Sequence, residues 1–187
     1  MGGKALIVVD MLNDFVVEGG ALYVGEAGRR VIPVIARALE KARSHKIPVI
    51  YICDRHLPGD REFEMFPTHC VAGTWGGEVC AELAPREGDV IIPKRRYSGF
   101  YGTDLDLALR ELGAEDLVLV GVCTNICVLY TAADARMRNY KVSVLKDGVA
   151  SFDEKAHEFA LREMEKTLGV QLLLVDEWEA GNADSCC

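Results

Sequence analysis

Cys127 closes the stretch Gly121-Val122-Cys123-Thr124-Asn125-Ile126-Cys127, which follows the apolar run 117–120 and opens a helical pattern over 128–138. With Thr124 as the cap, the thiol falls in the first helical turn. There, unpaired backbone N–H groups and the positive end of the dipole favour thiolate and can cradle an oxyanion. The expected thiol pKa is accordingly below the ordinary 8.5, at about 3.5 to 7.5. Other chemistry-bearing residues also stand where apolar runs give out. Asp10 follows the run 6–9, Asp54 and His56 follow 49–53, and Lys94 follows 90–92. Ligands of an open parallel sheet bind beyond the carboxyl ends of its strands, so these residues converge if the runs are parallel strands. A carboxylate, an ammonium and a helix-start thiol are the parts of covalent acyl transfer: base, thiolate stabiliser and nucleophile. Asp54 and His56, two apart on an extended run, point to one side, and His69 returns from a loop thirteen residues later. One carboxylate and two imidazoles leave coordination positions open, which suits Zn, Mn or Fe better than a closed structural site does. Each residue alone has a plainer reading: a small buried thiol, a turn aspartate, a solvated lysine, loop histidines.

The elements that must position these residues are legible. Short β-branched runs at 6–9, 49–53, 90–92, 117–122, 142–145 and 170–175 alternate with helical patterns. Near-continuous apolar strands are expected where both sheet faces are covered. One helix is read from Pro33 at a first turn, with Ile35, Ala38, Leu39 and Ala42 on one face. Another spans 104–112 after Thr103 and stops at Gly113. A third follows Ser151 and Glu154, which have capping-box spacing, with Ala156, Phe159, Ala160, Met164 and Leu168 inward. The predicted fold class is α/β: a three-layer, doubly wound sheet of about six mostly parallel strands with helices on both faces. Residues 1–180 are read as a single domain, and 181–187 as a flexible C-terminal tail.

Composition narrows the partners. The chain has 187 residues, half of them apolar, and a net charge of −8. No basic cluster exceeds Lys94-Arg95-Arg96, so nucleic acid is disfavoured and a small molecule favoured. No stretch is long enough to span a bilayer, and the N-terminus lacks the pattern of a signal peptide. Seven cysteines, odd in number and mostly on apolar runs, suggest reduced thiols and a cytoplasmic location. Cys53 and Cys80 read as core, Cys186 and Cys187 as tail. Cys123 and Cys127 are four apart, which is not a redox spacing.

Four motifs, in order along nearly the whole chain, then resemble the isochorismatase-like cysteine hydrolases, within them the nicotinamidase (pyrazinamidase) branch. They are residues 6–15 (LIVVDMLNDF), 66–74 (FPTHCVAGT), Lys94 with 97–105 (YSGFYGTDL), and 121–128 (GVCTNICV). The resemblance implies an Asp10-Lys94-Cys127 triad. It also implies a cis peptide between Val122 and Cys123 that aims the N–H groups of Cys123 and Cys127 at the oxyanion. One divalent transition metal ion, Zn first with Mn or Fe as alternatives, is implied on Asp54, His56 and His69, where it orients a pyridine ring. Phe15, Phe66 and Tyr97 are available to wall that ring. The segment after Asp54 lacks the tryptophan and further histidine frequent in nicotinamidases, and Asn125 and Ile126 replace an acidic residue and a tyrosine. These departures bear on the substrate more than on the reaction type.

The expected activity is a cysteine amidohydrolase converting a small planar carboxamide, nicotinamide first, to the acid and ammonia through a thioester. The expected assembly is a homo-oligomer, a dimer or tetramer. Alternatives are an amidohydrolase of ureido or carbamoyl compounds and a non-catalytic ligand- or partner-binding module on the same scaffold. Isochorismate-type vinyl-ether hydrolysis ranks lower, because that chemistry needs no nucleophilic cysteine.

Overall fold

The computed structural model describes residues 2–181, so the predicted tail beyond 181, with Cys186 and Cys187, lies outside the described residues. Six strands form one sheet: β1 (Gly3–Val9), β2 (Val49–Asp54), β3 (Val90–Lys94), β4 (Ala114–Val122), β5 (Lys141–Ala150) and β6 (Gln171–Leu173). Their order is β3-β2-β1-β4-β5-β6, every pairing parallel. This is a doubly wound arrangement. Its reversal of strand order lies between β1 and β4, where such sheets open a crevice for ligands.

The strict alternation of side chains along β1 explains why the run is apolar throughout. Leu6 and Val8 join a cluster with Ile35 and Leu39 of α2 (Glu26–Ser44). Ala5, Ile7 and Val9 face the other way. They meet Leu105 and Leu109 of α3 (Leu105–Glu111), Ala132 and Ala135 of α4 (Leu129–Met137), and Met164 of α5 (Glu154–Lys166). Helices thus cover both faces as predicted. The described residues contain no helix long and apolar enough to cross a membrane.

Several local expectations are corrected. The helix read from Pro33 begins at Glu26, and Pro33 lies inside α2 with its ring toward solvent. The imino ring removes one N–H donor from the exposed side, and the buried stripe of Val31, Ile32, Ile35 and Leu39 holds the helix through it. Asp153, not Ser151, caps α5, accepting the Ala156 N–H at 2.9 Å. Phe159 is 53% exposed rather than inward. β2 and β3 each extend to the residue that carries chemistry, so Asp54 and Lys94 are ladder partners. At Gly121 (φ +119) a Cβ would lie 2.0 Å from the Val9 carbonyl oxygen, so only glycine lets β4 run this close to β1 just before the nucleophile turn.

Candidate active site

Asp10 leaves β1 in the left-handed region (φ 50), with its N–H on the Ile52 carbonyl at 2.9 Å and its Oδ1 accepting the Asp54 N–H at 2.8 Å. The carboxylate is thereby fixed over the ends of β1 and β2. Register brings Lys94 to it. As the last residue of β3, opposite Asp54, Lys94 places Nζ 2.5 Å from Asp54 Oδ1, 2.8 Å from Asp10 Oδ2 and 3.5 Å from Cys127 Sγ. The Val122–Cys123 peptide is cis. Beyond it the chain enters a π turn (Thr124–Val128) in which the Cys123 carbonyl accepts the N–H groups of Ile126 and Val128. Cys127 lies in this turn rather than in a regular first helical turn. Thr124 does not cap it; its hydroxyl is bonded to His157.

The charge states follow from depth. Burial pushes the Cys127 thiol well above its ordinary value against the pull of Lys94, and Asp10 and Asp54 push it further up. The expected depression of the thiol pKa is therefore overturned: a turn terminus is a weaker influence than full desolvation beside two carboxylates. Burial and Asp54 likewise raise Asp10, to about 6, although Lys94 opposes them. Burial disfavours the Lys94 ammonium, but the two carboxylates outweigh it and hold Lys94 protonated. Burial also acts to raise Asp54, yet Lys94 and His56 bring it below the usual carboxylate range. The resting site is thus a neutral thiol and a carboxylate of near-neutral pKa, with an obligate ammonium in contact with both.

Asp54 belongs to two groups at once. Its other oxygen, Oδ2, is 3.7 Å from His56 Nε2 and 3.8 Å from His69 Nε2. His56 is fully buried, and neither of its ring nitrogens has a hydrogen-bond partner among the described residues. His69 Nδ1 lies 2.8 Å from the Pro67 carbonyl, which fixes its ring with Nε2 inward. Donors of a tetrahedral ion at about 2.1 Å stand roughly 3.4 Å apart, so the three atoms fit a divalent metal with little movement. Asp54, His56 and His69 converge closely enough to share one ion, and Glu62, which the sequence reading missed, stands beside the set. Its buried carboxylate places Oε1 4.0 Å from His56 Nε2. Also missed were Asp60 and Asp14. Asp60 approaches His56 Nδ1 at 3.3 Å and binds Arg95 and Arg96. Asp14 accepts the N–H groups of Cys70 and Ala21, tying the His69 loop to the segment after α1 (Asn13–Val16). Asp14 lies within the first motif, but nothing local in residues 60–62 distinguishes them from a polar surface loop.

All the sequence-predicted site residues come together. Phe15, Phe66 and Tyr97 line one cleft together with Val122, Cys123, Cys127, Asp54 and His69. Leu22, Glu62, Ile126 and Phe152 complete the lining and were not anticipated.

Comparison with known proteins bears on family and fold. Residues 4–176 match the isochorismatase domain family. An isochorismatase family protein of Bacillus subtilis is 39% identical, the match covering 90% of this chain and 98% of the relative. A ureidoacrylate amidohydrolase of Methylorubrum extorquens is 36% identical over 88% of this chain and 77% of its own. The crystal structure of a nicotinamidase/pyrazinamidase from Bacillus subtilis superposes with a TM-score of 0.87 at 36% identity, covering 91% of this chain and 99% of that one. The pyrazinamidase of Pyrococcus horikoshii, crystallised in complex with zinc, gives 0.85 at 36% identity, covering 91% and 98%. By sequence match along nearly its whole length and by fold, the chain belongs to the isochorismatase family.

Proposed function

We propose that the protein is a cysteine amidohydrolase acting on a small planar carboxamide, with nicotinamide as the leading substrate. The observation that carries this reading is the contact of one carboxylate, one ammonium and one thiol at the base of an aromatic-walled cleft. Asp10 takes the thiol proton as Cys127 Sγ attacks the amide carbon, and the N–H groups of Cys123 and Cys127 receive the developing oxyanion. Asp10 returns the proton to the departing nitrogen, and ammonia leaves a thioester. Asp10 then deprotonates water, whose oxygen attacks the thioester; the C–S bond breaks, the thiol is regenerated and the acid is released. Lys94 favours the ionised form of Asp10 between proton transfers and holds its carboxylate in place. A thiol that gives up its proton only during attack fits the high pKa of Cys127 better than a standing thiolate does.

Asp54, His56 and His69 would hold one divalent transition metal ion, with zinc first. Such an ion supplies a Lewis-acidic site for a donor atom of the substrate. Purified protein is expected to carry close to one such ion per chain, and chelation is expected to raise KM at least tenfold. Elemental analysis finding no transition metal after growth in metal-supplemented medium, with chelators harmless, would remove the site.

Ammonia release over a panel of amides tests the function. Nicotinamide and pyrazinamide are expected to be turned over best. A second reading, hydrolysis of ureido or carbamoyl compounds, is favoured by Asn125 and Ile126 beside the nucleophile and by the ureidoacrylate amidohydrolase relative; preferential release from those compounds selects it. The same assay gives the pH dependence. Asp10 accepts the thiol proton only when ionised, so kcat/KM is full above about 6 and falls tenfold per unit below it. A profile flat from pH 7 to 5 would exclude Asp10 as the base.

A further inference from the structure

The π turn that presents Cys127 has no side-chain cap of its own. Its polar side chains are instead gripped from one neighbouring segment, residues 151–157, which joins β5 to α5. Ser151, at the end of β5, donates its hydroxyl to Asn125 Oδ1, and Nδ1 of His157, on the first turns of α5, lies 2.8 Å from Thr124 Oγ1. Thr124 is fully buried and Ser151 nearly so. Ser151 is also the residue whose spacing suggested a helix cap, a task Asp153 performs. Its hydroxyl is therefore free for the nucleophile turn.

We infer that His157 and Ser151 are positioning residues for catalysis, holding the N–H groups of Cys123 and Cys127 at the angle the oxyanion requires. The inference rests on the amidohydrolase reading. Neither residue lines the substrate cleft, so their contribution falls on the transition state and not on substrate binding. Thr124 and Asn125 stand between the cis peptide and the nucleophile, the one segment whose displacement moves both N–H groups together. A shift of the order of 1 Å there costs roughly 100-fold in rate.

The test uses the full chain with the best substrate of the amide panel. His157→Gln, which withdraws the bonding atom from the Nδ1 position, and Thr124→Val, which removes the hydroxyl at constant shape, are each expected to lower kcat by about 10- to 100-fold with KM within about twofold. The His157→Gln/Thr124→Val double variant is expected to be no worse than the poorer single one, because the two residues make one bond. His157→Asn, whose side-chain amide reproduces the Nδ1 half of the imidazole, is expected to recover most of the rate. Thermal unfolding monitors the fold in every variant. Unchanged kcat in His157→Gln and Thr124→Val, a change confined to KM, or an Asn variant as poor as Gln each overturns the positioning role while the parent's activity stands. A parent that releases ammonia from no amide overturns the hydrolase reading, and this inference with it.

Discussion

Cys127→Ala is expected to lose amide hydrolysis by at least about 10⁴-fold while the protein stays folded. The effect is large because the thiol is the group that forms the acyl intermediate, and knocking out one member of a catalytic unit costs about as much as removing all of it. The fold is spared because the change removes a single sulfur atom from a residue that borders the cleft, which leaves only a small void. The variant also loses one neighbour of the Lys94 ammonium without introducing a charge. The measurement is ammonia release at saturating substrate, paired with thermal unfolding. In the parent, mass spectrometry of acid-quenched reactions should find the acyl group on Cys127. More than about 1% residual turnover in a folded alanine variant would exclude covalent catalysis.

Lys94→Met is expected to damage both stability and turnover. The ammonium is almost fully buried and contacts two buried carboxylates. Taking one partner from a buried ionic cluster costs about 3 to 5 kcal/mol, because the remaining charges have no water to turn to. The cheapest response is for a carboxylate to take up a proton. Asp10, already raised to about 6, is the one that responds. At pH 7 the base would then be largely protonated and turnover would fall at least 100-fold. The acid limb of the pH profile should move above 7, and turnover should partly recover in alkaline buffer. Urea unfolding and the pH profile read the two effects separately. An acid limb that stays near 6 would show that Lys94 does not hold the charge of Asp10.

Much of this was readable in advance, for identifiable reasons. Strands buried on both faces must be apolar along their whole length, so their ends mark where polar residues resume, and Asp10, Asp54, Lys94 and Cys127 stand at or just past those ends. Helix beginnings were harder. Ser151 and Glu154 have the spacing of a capping box, but Asp153 captures the N–H, and local spacing cannot reveal that Ser151 has a distant partner in Asn125. Likewise Thr124 resembles a cap, but its hydroxyl is taken by a histidine 33 residues away. The direction of the thiol shift was misjudged because the dipole of a turn is local information and the depth of a cleft is not. Glu62 went unseen because a short 3-10 turn of Arg61–Glu64 carries no periodicity that separates a buried carboxylate from a solvated one.

The pairing of Asp54 with Lys94 makes catalysis a gauge of how the sheet's margin is seated. β3 is an edge strand of five residues that hydrogen-bonds only to β2, and Lys94 is its final residue. Because side chains alternate between faces, a slip of one residue would swing the ammonium to the opposite side and bring Pro93 or Arg95 to its place. Terminal residues of an edge strand open at far lower free energy than the strands inside. The two carboxylates therefore serve as a latch as well as the counter-charge of the ammonium. They draw the end of β3 shut against β2, and the enzyme is competent only while that margin is closed.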